Sequence, residues 1–254
     1  MSDQKVLHEI NRLLDTLDAW RRRAPAAGGH PGATAANVGA AGPPGTAPGS
    51  PAAAAHSPAP PADDLDSRRS ALAALEEEVR ACTKCPLHEG RTHAVPGMGV
   101  LDPLVMVIGE GPGADEDRQG LPFVGRAGQY LDKWLAALEL SRDRDVYIAN
   151  IVKCRPPGNR DPQTGEIEAC TPYLARQIDI VRPRTILALG RFAGAWLSGR
   201  GDSLGRLRGR TFDFRGVPVV VTYHPSGVLR NPEYRRPVWE DLRRLREIYA
   251  AAGR

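Results

Sequence analysis

Apolar positions along this chain follow two different periods, separated by a stretch with neither. Val6, Ile10, Leu13, Leu14, Leu17 and Trp20 fall at helical spacing among charged residues, which predicts an amphipathic helix over residues 1–23, closing on Arg21-Arg22-Arg23. Residues 24–64 are nearly all Ala, Pro, Gly and Ser, with no aromatic residue and no Lys or Arg. That composition buries too little apolar surface to offset ordering entropy and predicts a disordered linker. From residue 65 the pattern returns, first as a helix through Leu72, Leu75 and Val79. Apolar runs at 104–108, 146–152, 185–189 and 217–222 then alternate with helical stretches over 128–140, 166–181, 191–197 and 238–249. Strand–helix alternation predicts an α/β domain over residues 65–254, its sheet mainly parallel and covered on both faces. In such sheets ligands bind beyond the carboxyl ends of the strands.

Composition narrows the partners. The 254 residues suit one ordinary domain with added sequence, and a formal net charge of +4 favours a polyanion such as nucleic acid. Charges run through residues 1–23 and no stretch is long and apolar enough to span a membrane, so a cytoplasmic protein without a membrane partner is expected. The N-terminal helix is either a docking element for a protein partner or a solvated terminal helix. Monomer is the default oligomeric state.

In that compartment four cysteines point to metal rather than to disulfides. Cys82 and Cys85 form a C-x2-C pair followed by Pro86, and Cys154 and Cys170 form a second, looser pair. Four thiolates suit tetrahedral zinc or a [4Fe–4S] cluster. The two wide spacings, with no compact knuckle, favour the cluster.

The unusual residues gather at the predicted strand ends. Gly109-Glu110-Gly111-Pro112-Gly113 follows the first strand, where glycines allow a sharp turn and close backbone approach to a ligand. It is neither G-x-G-x-x-G nor a Walker loop. Pro122-Phe123-Val124-Gly125 holds an aromatic ring that is either core or a stacking face for a planar base. Asn150 interrupts an apolar strand, where its carboxamide must find partners, in nearby backbone or on a base edge. His224 precedes a tight Pro225-Ser226-Gly227 turn at the end of the last strand.

Taken in order, these motifs, with Asn150-Ile151-Val152-Lys153-Cys154-Arg155-Pro156 and His224-Pro225-Ser226, resemble the family 4 uracil-DNA glycosylases, which include iron–sulfur enzymes. The resemblance runs from about Leu75 to Tyr249. It implies a three-layer αβα sandwich around a central four-stranded parallel sheet, with a [4Fe–4S] cluster on Cys82, Cys85, Cys154 and Cys170. Uracil-containing DNA would be the partner and hydrolysis of the N-glycosidic bond of flipped-out deoxyuridine the reaction, opening base excision repair. Phe123 would stack on the uracil, Asn150 would bond its edge, His224 would stabilise charge on the uracil oxygen, and the Gly111 backbone would shape the pocket. Ser226, Leu229 and Arg230 would meet DNA, with Leu229 or Arg230 filling the gap left in the base stack. The best-known branch of the superfamily has Asp where Gly111 stands, so Glu110 becomes the water-activating candidate, with Asp117 the second. A sister group captures its substrate covalently through a His in a basic insert. Residues 155–162 contain no His, and turnover is expected.

Basic residues between Arg200 and Arg215, with Arg235 and Arg236, are further candidates for phosphate contact, which salt would weaken. Two other functions fit parts of this pattern: a non-catalytic iron–sulfur DNA-binding module, and a glycosylase for another deaminated base.

Overall fold

The structure, a computed structural model, describes residues 65–251. The helix expected over 1–23 and the linker over 24–64 lie outside the described residues.

Helix α1 (Leu65–Arg80) carries Leu72, Leu75 and Val79 as its buried stripe. It is anchored by Arg68, whose guanidinium donates to Asp102 at 2.8 Å and to the Ile180 carbonyl at 2.9 Å. The short α2 (Leu87–Gly90) and β1 (Met98–Gly99) lead to the first long strand, β2 (Val105–Gly109). Then come α3 (Ala114–Gln119), α4 (Arg126–Ala137), β3 (Val146–Asn150), α5 (Thr164–Val181), β4 (Thr185–Leu189), α6 (Arg191–Ser198) and α7 (Leu204–Leu207). A hairpin of β5 (Thr211–Phe214) and β6 (Val217–Thr222), then α8 (Pro225–Arg230) and α9 (Arg235–Ala251), complete the domain.

Among the described residues the sheet has six strands, in the order β1-β3-β2-β4-β6-β5. Its four inner strands are parallel, as expected. The two outer ones pair antiparallel and were not expected. One is two residues long, too short for a periodic signal. The other is tied to β6 through Arg215 and Gly216, both at positive φ, the two-residue turn whose twist suits a hairpin.

Side chains alternate between the two faces of the sheet. Met106, Ile108, Tyr147, Ala149, Ile186, Ala188, Val219 and Val221 join the apolar faces of α1 and α5 in one core. Val105, Val107, Ile148, Leu187, Leu189 and Val220, one position along, are equally buried, and α9 packs over β4 and β6. Burial on both faces explains why these strands read as continuous apolar runs. β2 lies between β3 and β4, so the chain leaves it to opposite sides, and a crevice opens beyond the strands' carboxyl ends.

Candidate active site

The loops leaving β2, β3, β4 and β6 enclose a cleft of about 880 Å³. Of the residues singled out in the sequence, Glu110, Gly111, Phe123, Asn150, His224, Ser226 and Arg230 line it.

Gly109 and Asn150 are partners in the β2–β3 register. A Cβ on Gly109 would stand 2.5 Å from Asn150 Oδ1 and 2.6 Å from Phe123 Cζ, so only glycine lets the carboxamide and the ring close over this strand end. Asn150 is 1% exposed, and its Oδ1 has no hydrogen-bond partner among the described residues. Leaving a buried acceptor unpaired costs about 1–3 kcal/mol, which a site recovers when a ligand supplies the donor.

Phe123 is buried and holds φ at 53°, a conformation that costs a bulky residue on the order of 1–3 kcal/mol. The surroundings impose it. Glu116 Oε1 accepts from the backbone N–H groups of Val124 at 2.9 Å and Gly125 at 2.8 Å, while its Oε2 accepts from Gly113 at 3.1 Å, knitting two loops together. The Phe123 ring lies 5.6 Å from the His224 ring, their planes inclined by 35°.

His224 caps α8: its Nδ1 accepts from the Ser226 backbone N–H at 3.2 Å and lies 2.8 Å from Ser226 Oγ. An accepting Nδ1 places the proton of the neutral ring on Nε2. Burial, with the Arg230 charge adding to it, pulls the His224 pKa down to about 4, so the ring is a neutral donor at neutral pH. The approach to His224 is braced as well. Thr222 Oγ1 and Arg208 Nε each donate to the buried Asp241 at 2.7 Å, and Tyr223 is stacked on Tyr234 at 4.0 Å.

Glu110 is half-buried. Burial pushes its carboxyl up to about 7, with Asp161 adding to the rise and Arg191 opposing it. Asp161 and Arg191 are themselves hydrogen-bonded and line the same cleft. A carboxyl that exchanges its proton near neutrality suits a general base.

The four cysteines line one small cavity behind the cleft. Arg91 Nη1 donates to Cys154 Sγ at 3.1 Å, and the Lys153 N–H to Cys170 Sγ at 3.2 Å. Burial pushes the Cys170 thiol up to about 11 and raises that of Cys154, where Arg91 opposes the rise. Lys153 is fully buried between this cavity and the cleft, its Nζ donating to the Asn150 carbonyl at 2.9 Å and to Gln177 Oε1 at 2.6 Å.

Two expected residues lie elsewhere. Asp117, the second candidate for water activation, turns away from the cleft and accepts from the Thr92 N–H at 2.9 Å, because it sits on the inner face of α3. Leu229 is half-buried on α8, outside the cleft lining, while Ser226 and Arg230 reach it. Sequence reasoning passed over Glu116, Asp161 and Arg191. Glu116 stands three residues after Gly113, the spacing of a capping box, and that signal could have found it.

Comparison with known proteins shows the family. Residues 96–243 match the uracil DNA glycosylase superfamily. The chain is 48% identical over 179 residues to a type-4 uracil-DNA glycosylase of Pyrobaculum aerophilum, covering 67% of this chain and 91% of that protein. It is 43% identical over 191 residues to a type-4 uracil-DNA glycosylase of Thermotoga maritima, covering 74% and 99%. A type-5 uracil-DNA glycosylase of Pyrobaculum aerophilum is 39% identical over 148 residues, covering 52% and 65%.

Proposed function

The chain belongs to the uracil-DNA glycosylase superfamily, and we propose that it hydrolyses the N-glycosidic bond of deoxyuridine in DNA with Phe123, Asn150, His224 and Glu110 as its working residues. The observation that carries these roles is the unpartnered, buried Asn150 Oδ1 beside the Phe123 ring. The uracil edge presents an N3–H donor next to the O4 acceptor, which the carboxamide oxygen and amine match as a pair. Phe123 offers the flipped base a face.

As the N1–C1′ bond breaks, the electron pair stays with the base and spreads to its O2. A neutral His224 donates from Nε2 to that oxygen and strengthens its bond as charge develops, which is the condition for lowering a barrier. The sugar becomes cation-like, and the Glu110 carboxylate faces it from the cleft wall. Water adds its hydroxyl to C1′ and Glu110 takes the proton, which it returns to solvent as the uracil anion takes one up, so the single water is divided between sugar and base. Ser226 and Arg230, which line the cleft, would meet the backbone of bound DNA, and Leu229 or Arg230 would fill the vacated stack.

Cys82, Cys85, Cys154 and Cys170 would hold a [4Fe–4S] cluster. All four cysteines line one cavity, and they are the donor set that such a cluster takes. Their wide spacing along the chain, with no compact knuckle, favours the cluster over zinc. The N–H donors on Cys154 and Cys170 favour the thiolate form that iron needs. A cluster bound there would supply four iron–thiolate cross-links, tying the segment after α1 to the exit of β3 and to α5. Among the described residues no helix is long and apolar enough to cross a membrane.

Single-turnover assays on oligonucleotides carrying U opposite G, U opposite A, single-stranded U and hypoxanthine test the proposal. Uracil release should fall by roughly 10²–10³-fold in His224→Ala, the usual loss of one transition-state donor. Release that survives this change would remove His224 from the mechanism, and preferential release of hypoxanthine would favour another deaminated base.

A further inference from the structure

The loop carrying Phe123 is gripped from a side that the cleft does not reach. Arg142 lies in the connection between α4 and β3 and does not line the cleft. Its Nη2 donates to the Phe123 carbonyl at 2.7 Å and to that of Gly128 at 3.4 Å, and its Nη1 donates to the Pro122 carbonyl at 3.2 Å. Nε of the same guanidinium donates to Asp132 Oδ1 at 2.6 Å, which orients the planar fork. Glu116 takes the N–H groups that follow Phe123, so the carbonyls before and at Phe123 and the amides after it are all held. Gly128 presses on the Phe123 carbonyl with no room for a Cβ. Phe123 holds φ at 53°, and an unheld backbone would relax toward negative φ and swing the ring.

We propose that Arg142 is a positioning residue for uracil recognition, holding the strained Phe123 backbone so that the ring presents its face to the flipped base. The proposal rests on the stacking role assigned to Phe123. A guanidinium suits the task because its rigid fork reaches several carbonyls at once, which a lysine ammonium on a flexible stem does not do in the same plane.

A double-mutant cycle on the single-turnover rate tests it, using full-length protein with its iron content and melting temperature checked for each variant. Base stacking on an aromatic ring is worth about 1–3 kcal/mol, so Phe123→Ala should slow uracil release by roughly 10–100-fold. Arg142→Ala should slow the parent enzyme about tenfold, yet slow the Phe123→Ala enzyme less than about twofold, because the group it acts through is already gone. Equal losses in both backgrounds would mean that Arg142 supports the fold in general, and the proposal would be overturned. No loss in the parent, with Phe123→Ala impaired, would overturn it alone. A Phe123→Ala enzyme of full activity would remove the stacking role and the proposal with it. Should Arg142→Ala melt below the assay temperature, Arg142→Lys carries the same cycle with the charge retained.

Discussion

Glu110 and His224 face the same cleft with opposite departures from their ordinary acidity, and a pH profile separates them. Glu110 must be ionised to take a proton from water, so the single-turnover rate should rise with pH through about 7 and level off above it. His224 titrates near 4 and adds no limb in the neutral range. Asp161 lifts the Glu110 pKa and Arg191 lowers it, so Asp161→Asn should move the rising limb to lower pH and Arg191→Gln to higher pH. A limb that stays put in both variants would show that it belongs to another group. Asn150, Phe123 and His224 were legible in the sequence because each breaks its surroundings: an amide in an apolar strand, a ring between Pro and Gly, an imidazole before a tight turn. Arg142, Asp161 and Arg191 were not. The chain has 34 Lys and Arg against 30 Asp and Glu, and only the folded backbone distinguishes the few that face the site.

At the scale of elements, what mattered most was where one segment lies against another. Gly128 reads in the sequence as the start of a helix. In the fold it sits in the first turn of α4, pressed on the Phe123 carbonyl. Gly128→Ala should therefore cost about 1–3 kcal/mol by overpacking, a drop of several degrees in melting temperature for a domain of this size, and should slow uracil release as well. An unchanged melting temperature would mean the loop yields freely. The four parallel strands were legible because each is a continuous apolar run. The short helix α3 was hidden within the glycine-rich stretch after β2. It begins after Gly113, and its acidic first turn serves backbone amides of the Phe123 loop rather than solvent alone.

Over the whole molecule, the cysteine cavity joins segments far apart in the chain, the turn after α1, the exit of β3 and α5. If the cavity holds the proposed cluster, Cys170→Ala should lower both iron content and melting temperature. Retention of full iron at an unchanged melting temperature would exclude Cys170 as a ligand. Lys153 reaches from this cavity to the Asn150 carbonyl, so loss of the proposed cluster should also weaken the discrimination of uracil. The two outer strands carry a consequence for behaviour in a crowded cell. An open parallel sheet ends in rows of free backbone donors and acceptors, on which a second chain can build. Here those rows are only two and four residues long, and one of them adjoins a turn bearing Arg215. An extended chain finds too little ladder to prolong, so the folded protein should resist seeding of amyloid-like aggregates even at high concentration.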